Sequence, residues 1–197
     1  MKMAYNFFAM IDRMKYIDRW ALMRNSKNEN ISEHSHQVAV LAHALALIGN
    51  KEFGKDYDCA RTALLALYHD ATEVITGDMP TPVKYFNDEI RTAYKDIEKT
   101  AATRLLDMLP EAYRTDYETL LISQESDKAL WKLVKAADKL SALIKCIEEA
   151  RAGNREFEKA LAAQRRLIDE IDLPEVKFFK ENFLPAFELT LDEHTKR

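Results

Sequence analysis

Four polar residues stand where apolar side chains would be expected. His34 lies four positions before Val38 and seven before Leu41, so on a helix it shares their face. His69 and Asp70 directly follow the apolar run 63–68. Asp138 comes four positions after Val134 and next to Ala137, in the most apolar helical stretch of the chain. Burying carboxylates without partners is costly even after relaxation. A divalent cation would remove that cost. Two imidazoles and two carboxylates suit a borderline divalent ion and leave positions open for water and substrate. Taken singly, a buried histidine is most often a hydrogen-bonded core residue. Convergence of all four from three helices favours the metal.

Further polar residues extend this set. Glu73 follows His69 by four positions and Asp70 by three, so a continued helical turn brings it to their side. Asp78 sits in Thr76-Gly77-Asp78-Met79-Pro80-Thr81-Pro82, the clearest loop signal in the chain. One carboxylate near metal water and another near substrate would suit general acid–base work on a phosphate ester. The plainer readings are a surface carboxylate for Glu73 and a turn residue for Asp78. Arg19 offers a fork for phosphate and Trp20 a flat wall for a sugar or base. On their own they read as a helix-end arginine and a core tryptophan. His36 and His43 are expected in core or on the surface, and His194 in solvent.

Long helices are needed to position these residues, and the composition supplies them. An average chain of 197 residues would carry roughly 14 Gly and 10 Pro; this one has 4 and 5. That scarcity argues against a sandwich or barrel, and the glycines are too scattered for a phosphate-cradling loop. Apolar spacing predicts helices over Phe7–Trp20, from Asn30 (with Glu33 as a capping box) through Ile48, from a cap within Asp56–Asp58 through Leu67, and from Ile90 to Leu105. Others are expected from Pro110 to Ile122, from Leu130 to a stop at Gly153-Asn154, over Glu156–Ile171 and over Glu175–Leu189. The expectation is an all-α bundle forming a single domain over residues 1–197, with a polar tail from about residue 190.

The net charge of −4 disfavours broad binding to nucleic acid polymers or anionic membranes. Cys59 and Cys146 form no C-x-x-C pair, so two reduced thiols are expected and a cysteine zinc site is excluded. Neither a membrane span nor a secretory signal is visible, and the cytoplasm is the expected location.

At this point the residues resemble a family. His34…His69-Asp70…Asp138 has the order of the HD superfamily of metal-dependent phosphohydrolases. Asp18-Arg19-Trp20, Asn30-Ile31-Ser32-Glu33-His34-Ser35, Tyr68-His69-Asp70-Ala71-Thr72-Glu73 and the stretch Thr76–Phe86 resemble, more closely, the bacterial 5′-deoxynucleotidases of the YfbR type. The resemblance runs almost end to end. It implies an HD-type helical bundle, homodimeric and cytoplasmic. The implied activity is hydrolysis of deoxyribonucleoside 5′-monophosphates to deoxynucleosides and phosphate by attack of a metal-bound water, a phosphoric monoester hydrolase reaction. It implies that His34, His69, Asp70 and Asp138 bind the metal, with cobalt most effective and manganese another candidate. It implies that Glu73 is catalytic, with Asp78 positioning substrate or handling a proton. Arg19, Trp20, Asp78, Met79, Pro80 and Thr81 are implied to contact substrate, with His34, Asp70 and Asp138 in reach of it. Trp20 is implied to select against a 2′-hydroxyl.

No histidine lies between Asp70 and Asp138, so one ion per site is expected rather than two. Two rivals stand beside this reading. One is an HD hydrolase of dNTPs, cyclic nucleotides or guanosine polyphosphates, which would need more basic residues around the pocket. The other is a non-catalytic helical binding module. Phe178, Phe179, Phe183 and Phe187 are candidates for a dimer interface, although filling the core explains them more simply.

Overall fold

The computed structural model describes residues 4–84 and 86–195. Among them there is no strand, only an isolated antiparallel bridge between Asp18 and Asn30. Helix α1 spans Phe7–Ile11, α2 Ile31–Glu52, α3 Cys59–Tyr68, α4 Glu73–Thr76, α5 Thr81–Lys84 and α6 Asp88–Asp107. Helix α7 spans Glu111–Leu121, α8 Lys128–Arg151, α9 Glu158–Asp169, α10 Pro174–Asn182 and α11 Leu191–Thr195. No helix among the described residues is long and apolar enough to cross a membrane.

The frame of the site is α2, α3 and α8, packed against one another. Val38, Leu41 and Leu45 of α2 meet Leu65 of α3 and Leu133, Ala137, Leu140 and Ile144 of α8 in the main core. Helices α2 and α3 start on local signals. The side chain of Asn30 accepts from Glu33 N at 3.0 Å, and the Glu33 carboxylate accepts from Asn30 N at 3.4 Å, closing the capping box. Asp58 caps α3 by accepting from Arg61 N at 2.8 Å. Gly49 lets α2 approach Tyr57 closely, since a Cβ there would lie 2.6 Å from the tyrosine ring. At the far end of α8, Gly153 takes φ +78°. The amides of Gly153 and Asn154 then bond back to the carbonyls of Ala150 and Glu149 at 3.0 and 2.9 Å. That pairing is a Schellman stop.

Two expected helices are interrupted. The first breaks into α1 and a 3-10 turn over Asp12–Tyr16, after which Ile17 is extended. Ile31 N donates to Ile17 O at 3.0 Å, and Arg19 N to Glu29 O at 2.9 Å. Pairing with the entry to α2 therefore wins over helix continuation, and Arg19-Trp20 sits beside the start of α2 rather than at a helix end. The helix expected over Glu175–Leu189 stops at Asn182 and resumes as a 3-10 turn over Leu184–Glu188. Pro185 has no amide to continue the ladder. Phe179 of this region is buried in the core, Phe178 and Phe187 pack against it, and Phe183 is half exposed.

Candidate active site

His34 lies in the first turn of α2 and is completely buried. His69 and Asp70 fall at the end of α3, where the chain turns into the single-turn helix α4. Asp138 projects from the middle of α8. One ligand atom from each of His34, His69 and Asp70 lies within 4.8 Å of the others. Asp138 lies outside that three-residue group but borders it, with Oδ1 3.2 Å from His34 Nε2. Asp70 Oδ2 lies 3.0 Å from His69 Nε2 and 3.5 Å from His34 Nε2.

The chemistry of this cluster fits a cation. Nε2 of His34 and Nε2 of His69 are both buried without a hydrogen-bond partner, although carboxylate oxygens crowd beside them. Histidine ligands usually carry their proton on the remote nitrogen, held there by an acceptor. His69 Nδ1 lies 2.7 Å from the carbonyl of Ala66, which can only accept. His34 Nδ1 lies 3.1 Å from Ser141 Oγ, which in turn donates to Gln37 Oε1 at 2.5 Å. The first leaves the His69 Nε2 lone pair free to face the cluster, and the second does the same for His34 in the tautomer that carries its proton on Nδ1. Arg19 Nη1 also approaches His34 Nδ1, at 2.8 Å, while it bonds to Glu29 Oε2 at 2.9 Å. Arginine only donates, so it competes with Ser141 for that nitrogen.

The fields in the site are strong. Burial, with Arg19 adding to it, lowers the pKa of His34. Burial would do the same to His69, but Asp70 outweighs it and raises the pKa. Burial would raise the Asp138 carboxyl, yet His34, His69 and Lys139 hold it well below the usual range. Glu73, in α4, is buried with Oε2 unpaired. Burial, with the charges of Asp70 and Asp78 adding to it, pushes its pKa up to about 9. Asp78 is half-buried and shifted upward, by burial first and then by Asp70, against the pull of Arg19.

Asp78, Met79 and Pro80 form the half-buried loop between α4 and α5. Thr81 opens α5, and its side chain lies outside the described residues. Lys84 ties this loop to α6: its Nζ bonds to Glu98 at 2.8 Å and stands 4.6 Å over the Tyr94 ring. His36 and His43 are exposed on α2, away from the cluster, and His194 is exposed in α11. Glu29, Gln37, Ser141 and Lys84 were not expected from the sequence. Ser141 and Gln37 each follow a cluster residue by three positions, Asp138 and His34 respectively. Ser141 is a fully buried polar residue on the same face as Asp138, the pattern that marked the histidines. Glu29 and Lys84 carry no such signal.

An all-helical frame bringing a histidine, a His-Asp pair and a distant aspartate to one point defines the class: an HD-type metal-dependent phosphohydrolase. Fold comparison agrees. An HD-domain phosphohydrolase from Listeria innocua superposes with a TM-score of 0.79 at 23% identity, over 92% of this chain and 88% of that one. A cyanophage S-2L HD phosphohydrolase, bound to dA and one catalytic Zn²⁺ ion, does so with a TM-score of 0.62 at 19% identity, over 92% and 96%. Residues 6–187 match the family described as 5′-deoxynucleotidase YfbR-like. A 5′-deoxynucleotidase from Vibrio cholerae is 53% identical over 188 residues, 95% of this chain and 97% of that protein. The chain belongs to the YfbR-like 5′-deoxynucleotidase family.

Proposed function

We propose that this protein hydrolyses deoxyribonucleoside 5′-monophosphates to deoxynucleosides and phosphate. The observation that carries the reading is the pair of buried, unpartnered Nε2 atoms converging with two carboxylates beside an arginine. Family membership at about half identity supplies the substrate class. In this reading His34, His69, Asp70 and Asp138 hold one divalent ion, with Co²⁺ or Mn²⁺ the candidates. Such an ion lowers the pKa of water and neutralises phosphate oxygens.

The chain's own residues do the rest. Arg19 swings between Glu29 and the phosphate, and its fork matches two phosphate oxygens as charge shifts during transfer. Ser141 accepts the Nδ1 proton of His34 when Arg19 is drawn to substrate. Glu73 takes or gives a proton at the attacking water or the 5′-oxygen. Asp78, Met79, Pro80 and Thr81 form the wall that orients the nucleotide. A substrate with three phosphates would need more cations than Arg19, Lys84 and Lys139 supply here, which favours the monophosphate. We place the enzyme in the cytoplasm, as one folded domain. We further propose that it works as a homodimer. The exposed apolar side chains of Val40 and Leu47 on α2 and of Leu64 and Leu67 on α3 then become the face to bury.

Phosphate release from dAMP and AMP, with and without chelator, tests the reading. Turnover of dAMP that exceeds AMP and vanishes on chelation is expected. Release of pyrophosphate or triphosphate from other nucleotides, with dAMP untouched, would overturn it.

Trp20 carries the sugar preference in this proposal. Its backbone is at φ +57°, and its indole packs on Phe157 with ring centroids 5.4 Å apart. A rigid wall rejects an added hydroxyl by clash, whereas an apolar pocket alone discriminates by only about 10–200-fold. Trp20→Ala is expected to narrow the dAMP/AMP ratio of kcat/KM by roughly that factor. An unaltered ratio would move selectivity to another residue.

A further inference from the structure

Residues 20–28 leave regular structure between the two bridge partners, Asp18 and Asn30. Trp20 starts this excursion, and it is the one non-glycine residue at positive φ among those described. An L-residue does not hold that conformation unless its surroundings impose it. Local bonds supply part of the hold: the Trp20 carbonyl accepts from Met23 N at 2.8 Å and Asn25 Nδ2 at 3.3 Å.

The remaining anchors come from the far end of α8 and from the turn that follows it, where Glu156 Oε1 also accepts from Arg24 N at 3.2 Å. Glu149 is buried and accepts from Ser26 N at 2.9 Å, Ser26 Oγ at 2.6 Å and Asn154 Nδ2 at 2.8 Å. It also pairs with buried Lys145, whose Nζ donates to the carbonyl of Lys27 at 2.6 Å. Asn154 Nδ2 reaches the carbonyl of Arg24 at 2.7 Å. The Schellman stop described above holds Asn154 at this point. Phe157, the next apolar residue along, is the one packed at a tilt against Trp20. Arg19 is anchored separately, through Glu29 and the bridge. The segment therefore has two independent supports: one for the phosphate-facing arginine and one for the tryptophan.

We infer that Glu149, with Lys145 and Asn154, is a positioning group for sugar selection, clamping residues 24–28 so that Trp20 stays where it distinguishes deoxyribose from ribose. The inference rests on the role proposed for Trp20 above. A full negative charge suits the clamp, because Glu149 faces donors from Ser26, Asn154 and Lys145 at once. Burial would raise its pKa, but the bonds from Lys145, Ser26 and Asn154 outweigh that and hold it at about 2. The clamp stays ionised across the neutral range.

The test uses a Trp131→Phe parent, in which Trp20 is the sole tryptophan of the chain. The Trp131 indole nitrogen has no hydrogen-bond partner to lose. Glu149→Gln and the milder Asn154→Ala are made in this parent, beside Trp20→Ala. Three quantities are read: Trp20 emission and its quenching by acrylamide, kcat/KM for dAMP and AMP, and Co²⁺ affinity. Loosening should shift Trp20 emission to the red and lower the dAMP/AMP ratio about tenfold, with Co²⁺ affinity unchanged. If Trp20→Ala narrows the ratio and neither clamp variant does, the clamp is overturned while the role of Trp20 stands. If Trp20→Ala leaves the ratio unaltered, both fall. A clamp variant that loses Co²⁺ affinity along with the ratio acts through general disorder, which also overturns the inference. Should Glu149→Gln fail to fold, Asn154→Ala decides alone.

Discussion

Glu73→Gln is expected to lower kcat on dAMP by about 10²–10⁴-fold, the usual contribution of a positioned acid or base. Co²⁺ affinity should be preserved, because the proposed role of Glu73 is to move a proton and not to hold the ion. The glutamine keeps the size of the side chain and one acceptor oxygen but cannot carry the proton. The expected signature is an equal drop in kcat and kcat/KM, the mark of an interaction made in the transition state. Burial together with Asp70 and Asp78 holds the Glu73 pKa at about 9 in the metal-free protein, so it is protonated at neutral pH. A cation held by the neighbouring ligands offsets that negative field and brings the pKa down toward the working range. The pH profile then assigns the role. A base must be ionised, so the rate would rise with pH through the Glu73 pKa. An acid must be protonated, so the rate would fall. Whichever limb belongs to Glu73 disappears in the variant, and wild-type kcat in Glu73→Gln would remove this residue from the chemistry.

Much of this site is legible in the sequence because burial selects against charge. His34, His69, Asp70 and Asp138 sit on apolar faces, and helical periodicity points each inward before any contact is known. The long helices follow from the same periodicity, and their starts from Asn30 and Asp58, whose caps are present in the structure. Local pattern fails where a distant segment competes for the backbone. Nothing in Lys15-Tyr16-Ile17-Asp18-Arg19-Trp20 announces that Asp18 will bridge to Asn30, yet that bridge sets Arg19 beside His34. The second break falls beside Pro185, which has no amide to continue the ladder although the apolar spacing runs on past it. Glu29 and Lys84 act through tertiary contacts with Arg19 and Glu98, which no spacing rule reports. Lys145 and Glu149 are the informative case. They follow Asp138 by seven and eleven positions, on the same inward face of α8. The rule that marked the proposed metal ligands applies to them equally.

Asp138→Asn should remove most of the stabilisation that metal confers. A ligand that binds the folded state at about 100 times its Kd adds about 2.7 kcal/mol to the unfolding free energy. For a chain of this size that is about 5–11 °C in Tm. Asp138 supplies an anionic oxygen 3.2 Å from His34 Nε2. His34, His69 and Lys139 keep it ionised against the effect of burial, through the working pH range. An amide offers a neutral oxygen in the same place, so charge is lost and shape is kept. If the substitution weakens Kd about a hundredfold, the same Co²⁺ concentration yields only about 0.4 kcal/mol, a shift of about 1 °C. Each protein is compared with its own metal-free form, so any change in baseline stability cancels. A full shift in Asp138→Asn would exclude Asp138 from the ligand set. The titration also counts ions. With no histidine between Asp70 and Asp138, the chain lacks the further imidazoles that a second ion beside the first would draw on. The wild-type shift should therefore follow a one-site curve, and calorimetry of Co²⁺ binding should give a stoichiometry of one. Two ions per chain, both lost on Asp138→Asn, would mean that carboxylates such as Glu73 and Asp78 serve as ligands rather than as proton carriers.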